Sequence, residues 1–170
     1  DLHYTGLPEE IKNITANLIV NKPEGGLNLT SVNISKAHAE VRNNPLDFSL
    51  QVDNLTEDVR FNGELVGKVN FDQLKEAIPL DSIQISGLLD VNLGVSGNMS
   101  AIENKKYELL KTDGILSLTG FSYLSNQLTM PVYVSSGIMD FAPEKINLQH
   151  LNMKIGQSDM ILSGTVSDYY

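Results

Sequence analysis

GILSLTGFSYLSNQLTMPVYVSSGIMDFAPEKINLQHLNMKIGQSDMILSGTVSDYY, residues 114–170, is the stretch that decides how the chain folds. Its runs Ile115–Tyr123, Val132–Phe141, Ile146–Ile155 and Met160–Val166 carry apolar residues on alternate positions, with short turn signals between them. Successive side chains of a strand point to opposite faces. Such runs therefore predict strands with one apolar and one polar face, joined as an antiparallel meander. The tightest turn, Gly156-Gln157-Ser158-Asp159, separates the last two runs. In the third run Ile146 and Leu148 give way to Leu151, Met153 and Ile155. That change of parity predicts a β-bulge at Gln149-His150.

The same pattern extends toward the N-terminus. Ile85, Leu89, Val91, Leu93 and Val95 alternate along one strand, with Gly87 and Gly97 on their parity. Val59, Phe61, Leu65 and Val69 share a parity with Gly63 and Gly67. Glycine on an inward parity lets a long strand coil or another group come close. Leu46, Phe48, Leu50 and Val52 form the cleanest alternation in the chain. Ala37, Ala39 and Val41 predict a short separate strand. Leu27 and Leu29, then Val32 and Ile34, predict a strand bulged near Thr30-Ser31. Ile14, Ala16, Leu18 and Val20 predict the first strand.

The period changes from two to about 3.6 at two places only. Phe71–Ile78 predicts a helix capped by Asn70 and stopped by Pro79. Ala101–Leu110 predicts another, behind a Ser100 to Glu103 capping box. The expected fold is mainly β, with about ten mostly antiparallel strands and two short helices. Its long twisted meander would be groove-like or half-barrel-like. Phe61, Leu93, Leu118, Val134, Met153 and Leu162 are expected on its apolar face, because each sits on the apolar parity of its strand; a one-residue slip would invert the whole strand. Asp58–Leu65 echoes Asp159–Val166, with Val91–Gly97 a looser relative. The expectation is one β-rich unit over 1–170; a division into two similar β units, about 9–80 and 81–170, is the other way to read the echo.

Composition narrows the chemistry. Hydrophobic residues make up 41%, aromatics only 6%, and Trp is absent, so packing must be aliphatic. The five Met residues suit irregular apolar space. A net charge of −9 offers no basic footprint for nucleic acid and no polybasic patch for anionic headgroups. With no Cys, disulfides and thiolate metal sites are excluded. His3, His38 and His150 stand far apart without ligand spacing and read as strand residues. No G-x-S-x-G elbow, phosphate-cradling loop, EF-hand or dinucleotide fingerprint occurs. Asp47, Asp53, Asp90, Asp140 and Asp159 read as solvated or turn-capping residues. Asn-x-Ser/Thr triplets at Asn13, Asn28, Asn33, Asn54 and Asn98 read as chance products of an Asn- and Ser-rich strand protein. No catalytic residue, metal ligand or cofactor is expected. Neither a signal peptide nor a membrane span is visible, and the chain reads as a piece of a longer protein.

Two short helices cannot cover that many long strands. Either the sheet closes on itself as a sandwich or barrel, or an aliphatic face stays open as a binding surface. One group of residues bears on the choice. Gly137-Ile138-Met139-Asp140-Phe141-Ala142-Pro143, Ile146-Asn147-Leu148, and Gly156-Gln157-Ser158-Asp159 running into Leu162-Ser163-Gly164-Thr165-Val166 resemble the C-terminal region of the AsmA-like family. The resemblance is clearest from Gly87 to Tyr170 and involves no catalytic motif. It implies a non-catalytic periplasmic segment of a Gram-negative protein held in the inner membrane. Such proteins act in outer-membrane biogenesis, beside other envelope-assembly proteins, and carry lipid along repeating β-grooves.

The partner implied is a phospholipid or its acyl chains. The groove candidates are Phe61 and Leu65; Leu89, Val91, Leu93 and Val95; Leu116 and Leu118; Val132 and Val134; Leu151 and Met153; and Met160 and Leu162. The alternative is a structural or adhesive β-sandwich module of the cell envelope, its apolar face fully closed. A β-rich enzyme is a third class, and it would need clustered acidic or basic residues that the chain does not show.

Overall fold

A computed structural model of the chain describes residues 11–77, 83–128 and 130–167. Strands β1 (Ile11–Asn21), β2 (Ser31–Val41), β3 (Asn44–Asp53) and β4 (Arg60–Asn70) lead to helix α1 (Phe71–Ala77). Strand β5 (Ile83–Asn98) leads to helix α2 (Met99–Glu103). Strands β6 (Lys111–Ser125), β7 (Val132–Ala142), β8 (Lys145–Ile155) and β9 (Ser158–Ser167) follow. All nine strands form one sheet in chain order, each antiparallel to its neighbour. The sheet is an open meander with edges at β1 and β9. The mainly-β meander with two short helices is thus the architecture.

Three local readings are corrected. Leu27–Leu29 is a 3-10 turn, so the parity change near Thr30-Ser31 is a turn meeting a strand and not a bulge. Val32, Ile34 and the Ala37–Val41 run belong to one strand, which makes nine strands where ten were expected. The bulge lies at Ser35-Lys36, where Lys36 has φ 53° and the register against β3 slips between Ile34 and Ala37. The extra residue returns Ala37 and Ala39 to the apolar face, opposite Phe48 and Leu46. The bulge expected at Gln149-His150 is present, as a register shift between Leu148 and Leu151.

The third correction concerns the second helix. It starts at Met99 and ends at Glu103, with a separate 3-10 turn at Tyr107–Leu109. Its N-terminus is capped from another segment. Asp58 Oδ1 accepts the Ser100 backbone N–H at 3.2 Å, and Asp58 Oδ2 accepts the Asn98 side-chain amide. A carboxylate is a stronger acceptor than the serine hydroxyl of the expected capping box. Lys105, at φ 57°, then turns the chain. Helix α1 follows the local pattern, since Asn70 Oδ1 accepts the N–H groups of Asp72 at 3.0 Å and Gln73 at 3.4 Å. Ile78 and Pro79 lie outside the described residues.

A second line of irregularity crosses the sheet. Between β5 and β6 the register shifts between Ser86 and Leu88, where Gly87 has φ 98° and Gly120 φ 57°. Between β7 and β8 it shifts between Val134 and Ser136. These bulges keep Ile85, Phe121, Tyr123, Val132 and Val134 on the same face as Leu89 and Leu118, although parity changes along the chain.

Candidate apolar binding face

Directly opposed residues of antiparallel neighbours share a face. The register therefore traces rows across the sheet. One row runs Phe48, Leu65, Leu93, Gly114, Phe141, Ile146, Val166. The next runs Leu46, Gly67, Val91, Leu116, Met139, Leu148, Gly164. A third runs Val69, Leu89, Leu118, Gly137, Leu151, Leu162. Beyond the bulges come Phe121, Val134, Met153, Met160, and then Tyr123, Val132, Ile155. Phe61 faces Gly97, and Val95 faces Gly63. All fourteen groove candidates named from the sequence thus stand on one face, Phe61, Leu93, Leu118, Val134, Met153 and Leu162 among them.

The face is wider than that set. Val32 and Ile34 of β2, with Leu46, Phe48, Leu50 and Val52 of β3, continue it toward β1. The β3 alternation was plain in the sequence and could have been included. Phe121 and Tyr123 could not, because the Gly87–Gly120 bulge hides their parity.

Nothing large on this face is fully covered. Among the described residues, the apolar side chains that reach full burial are Ala37, Val91, Ala101 and Val134. Leu65 remains 40% exposed and Phe48 the same, although both lie on inner strands. A two-layer core would bury residues of this kind almost completely. Cover is local. Phe71 of α1 meets Phe121 edge-on, with ring centroids 5.5 Å apart. Asp72 Oδ2 accepts the Gly87 N–H at 3.0 Å, supplying a partner just past the end of β4.

Leucines also lean sideways over the glycines of the next strand. A Cβ added at Gly67 would stand 2.5 Å from Leu46 Cδ2, and one at Gly137 would stand 2.9 Å from Leu151 Cδ1. Leu50 approaches Gly63, and Leu110 approaches Gly97, in the same way. The wall is therefore apolar, mostly aliphatic with Phe48, Phe61, Phe121, Phe141 and Tyr123 set in it, and has no charged group among its rows.

The opposite face is mixed: Val66, Leu88, Ile115, Tyr133 and Ile161 are exposed on it, among polar side chains that pair across strands. His38 Nδ1 lies 2.7 Å from Asp47 Oδ1, and Lys68 Nζ lies 2.9 Å from Asp90 Oδ2. Gln149 and Asn147 donate to Asp140 at 2.7 and 3.2 Å, and Thr165 donates to Asn147 at 2.9 Å. The Asp90 carboxylate raises the Lys68 pKa above its ordinary value, by hydrogen bond and by charge. Donation from Asn98 and then Ser100 lowers the Asp58 pKa below the usual carboxylate value. Both are pairing effects at the surface, and neither makes a reactive group. Asp47, Asp90, Asp140 and Asp159 each have a cross-strand polar partner. Among the described residues no group of three His, Asp or Glu side chains converges as a metal site, and no helix is long and apolar enough to cross a membrane.

Compared with family models, with curated proteins and with solved structures, the chain matches none.

Proposed function

We propose that the chain is a non-catalytic lipid-handling segment whose apolar face takes up acyl chains. The observation that carries this reading is a wide apolar face, eight strands across from β2 to β9, with large residues such as Leu65 and Phe48 left 40% exposed. Exposed apolar area on that scale marks a binding surface. An acyl chain has nothing to hydrogen-bond, so an uncharged wall of Leu, Val, Ile, Met and Phe suits it. Burial holds the chain at about 0.8 kcal/mol per CH₂, and the lack of polar anchors lets it slide along the rows. The likeness of Gly137–Pro143 and Gly156–Val166 to the AsmA-like family supports the same substrate class. In that setting the segment belongs to a periplasmic protein of outer-membrane biogenesis, anchored in the inner membrane of a Gram-negative bacterium. It passes phospholipid along a groove and works beside other envelope-assembly proteins.

The test is uptake of a fluorescent fatty acid or phospholipid by the purified chain. The expected result is saturable binding. Leu93→Asp and Leu118→Asp should weaken it about tenfold, because each puts a carboxylate on the wall where a chain would lie. Circular dichroism should show both variants folded. If the folded chain takes up no lipid, and both substitutions unfold it as core changes do, the face is ordinary core and the β-sandwich reading replaces this one.

A further inference from the structure

We propose that β9 is a self-complementary edge through which two copies of this chain join into one continuous sheet. The inference goes beyond the lipid reading and does not rest on it. An edge strand presents a row of unpaired N–H and C=O groups, which proteins usually blunt with lysine, proline or bulges. The β1 edge is blunted in this way. It carries Lys12, Asn13 at φ 53°, and two register shifts against β2. β9 is less protected: its one register shift against β8, between Leu148 and Leu151, places the extra residue on β8 and not on the edge strand. Ser158–Ser167 contains no Pro, Lys or Arg, and Asp159 is its single charge. None of its residues has positive φ, and Ile161 is 80% exposed.

A second observation lies on the apolar face. Gly63, Gly67 and Gly137 are each overlain by a leucine of a neighbouring strand, and Gly97 by Leu110, just ahead of β6. Gly164 is not: a Cβ there would meet nothing within 4 Å, although Leu148 stands opposite it on β8. The free side of Gly164 is therefore an empty seat of a kind that this sheet fills elsewhere with leucine.

β9 itself supplies that leucine. With two copies antiparallel about Ser163, Leu162 falls opposite the second copy's Gly164, and Met160 opposite its Val166. On the polar face Ile161 meets Thr165, Asp159 meets Ser167, and Ser163 meets Ser163. Every pair keeps its side chains on one face, and no like charges oppose each other. The two-fold axis stands perpendicular to the sheet, so both apolar faces lie on the same side. The partner is a second copy of this chain, in the closed isologous arrangement.

The experiment is sedimentation equilibrium of the whole chain at low ionic strength. The expected species is a dimer of the 18.7 kDa chain. Ser163 is exposed on the polar face, so its substitution leaves the apolar rows intact. Ser163→Lys and Ser163→Glu should each raise the dissociation constant about fivefold, by setting like charges directly opposite. An equal mixture of the two variants should restore dimerisation, because opposite charges then meet at the axis. A monomer at every concentration overturns the proposal. So does a dimer indifferent to both substitutions, which would place the contact elsewhere. A mass that keeps rising with concentration also overturns it, since β1-to-β9 pairing makes open filaments.

Discussion

Gly114 holds φ at 126°, and a Cβ there would stand 2.1 Å from the Asn92 carbonyl oxygen on β5. Backbone strain and a clash with a fixed strand therefore coincide at one residue. Gly114→Ala is expected to cost about 3 kcal/mol, because the native conformation is incompatible with a side chain and β5 cannot yield without breaking its ladder. Gly120 makes the contrast. Its φ is 57°, and a Cβ there would meet nothing within 4 Å. Gly120→Ala is expected to cost only the left-handed backbone penalty, about 1 kcal/mol. Urea unfolding of the two variants checks this. Equal losses would mean that the close approach to Asn92 does not matter.

At the scale of elements, the start of α2 depends on one carboxylate. Asp58 precedes β4, yet it accepts from Asn98 and Ser100 at the end of β5 and the start of α2. Those donors favour the ionised form, so the folded pKa lies below its ordinary value of 3.8. The direction of the pH effect follows. The contribution is present above the unfolded value and is lost as pH falls through the lower folded one. Thermal unfolding from pH 6 down to pH 2 should show the wild type more stable than Asp58→Asn at pH 6. The gap should close below the ordinary carboxylate value of 3.8. A gap that does not change with pH would mean that the carboxylate's charge plays no part. By contrast α1 begins through its own Asn70, a cap that local sequence suffices to specify.

At the scale of the molecule, the sheet has continuous apolar rows on one side, and on the other paired polar groups with single apolar residues such as Ile115 and Ile161 between them. Its edges are separate, and no second layer lies over the rows among the described residues. A native protein of this form should bind the dye ANS at neutral pH while keeping cooperative unfolding and its tyrosine near-ultraviolet signal. A molten state would bind the dye but lose that signal. Palmitate should displace the dye if the face serves acyl chains. Native protein that leaves ANS dark would indicate a closed face.

Much of this was legible in the sequence. The parity of Leu46 to Val52, of Leu89 to Val95 and of Met160 to Val166 assigned their faces, because side-chain direction in a strand is a local property with a period of two. The Gln149-His150 bulge was visible for the same reason, as a break in that period. The bulge at Ser35-Lys36 was missed, because two short alternations across a break look like two strands until pairing with β3 joins them. The α2 start depends on Asp58, forty-two residues before Ser100, and no local pattern carries a contact of that range. Whether the rows stay open is decided by the sum of twist and curvature over eight pairings, including the bulges at Gly87 and Ser135. The sequence by itself determined which residues form the apolar face. The tertiary structure decided that the face runs unbroken from β2 to β9 and stays open, because strand order and closure arise from pairing between distant segments.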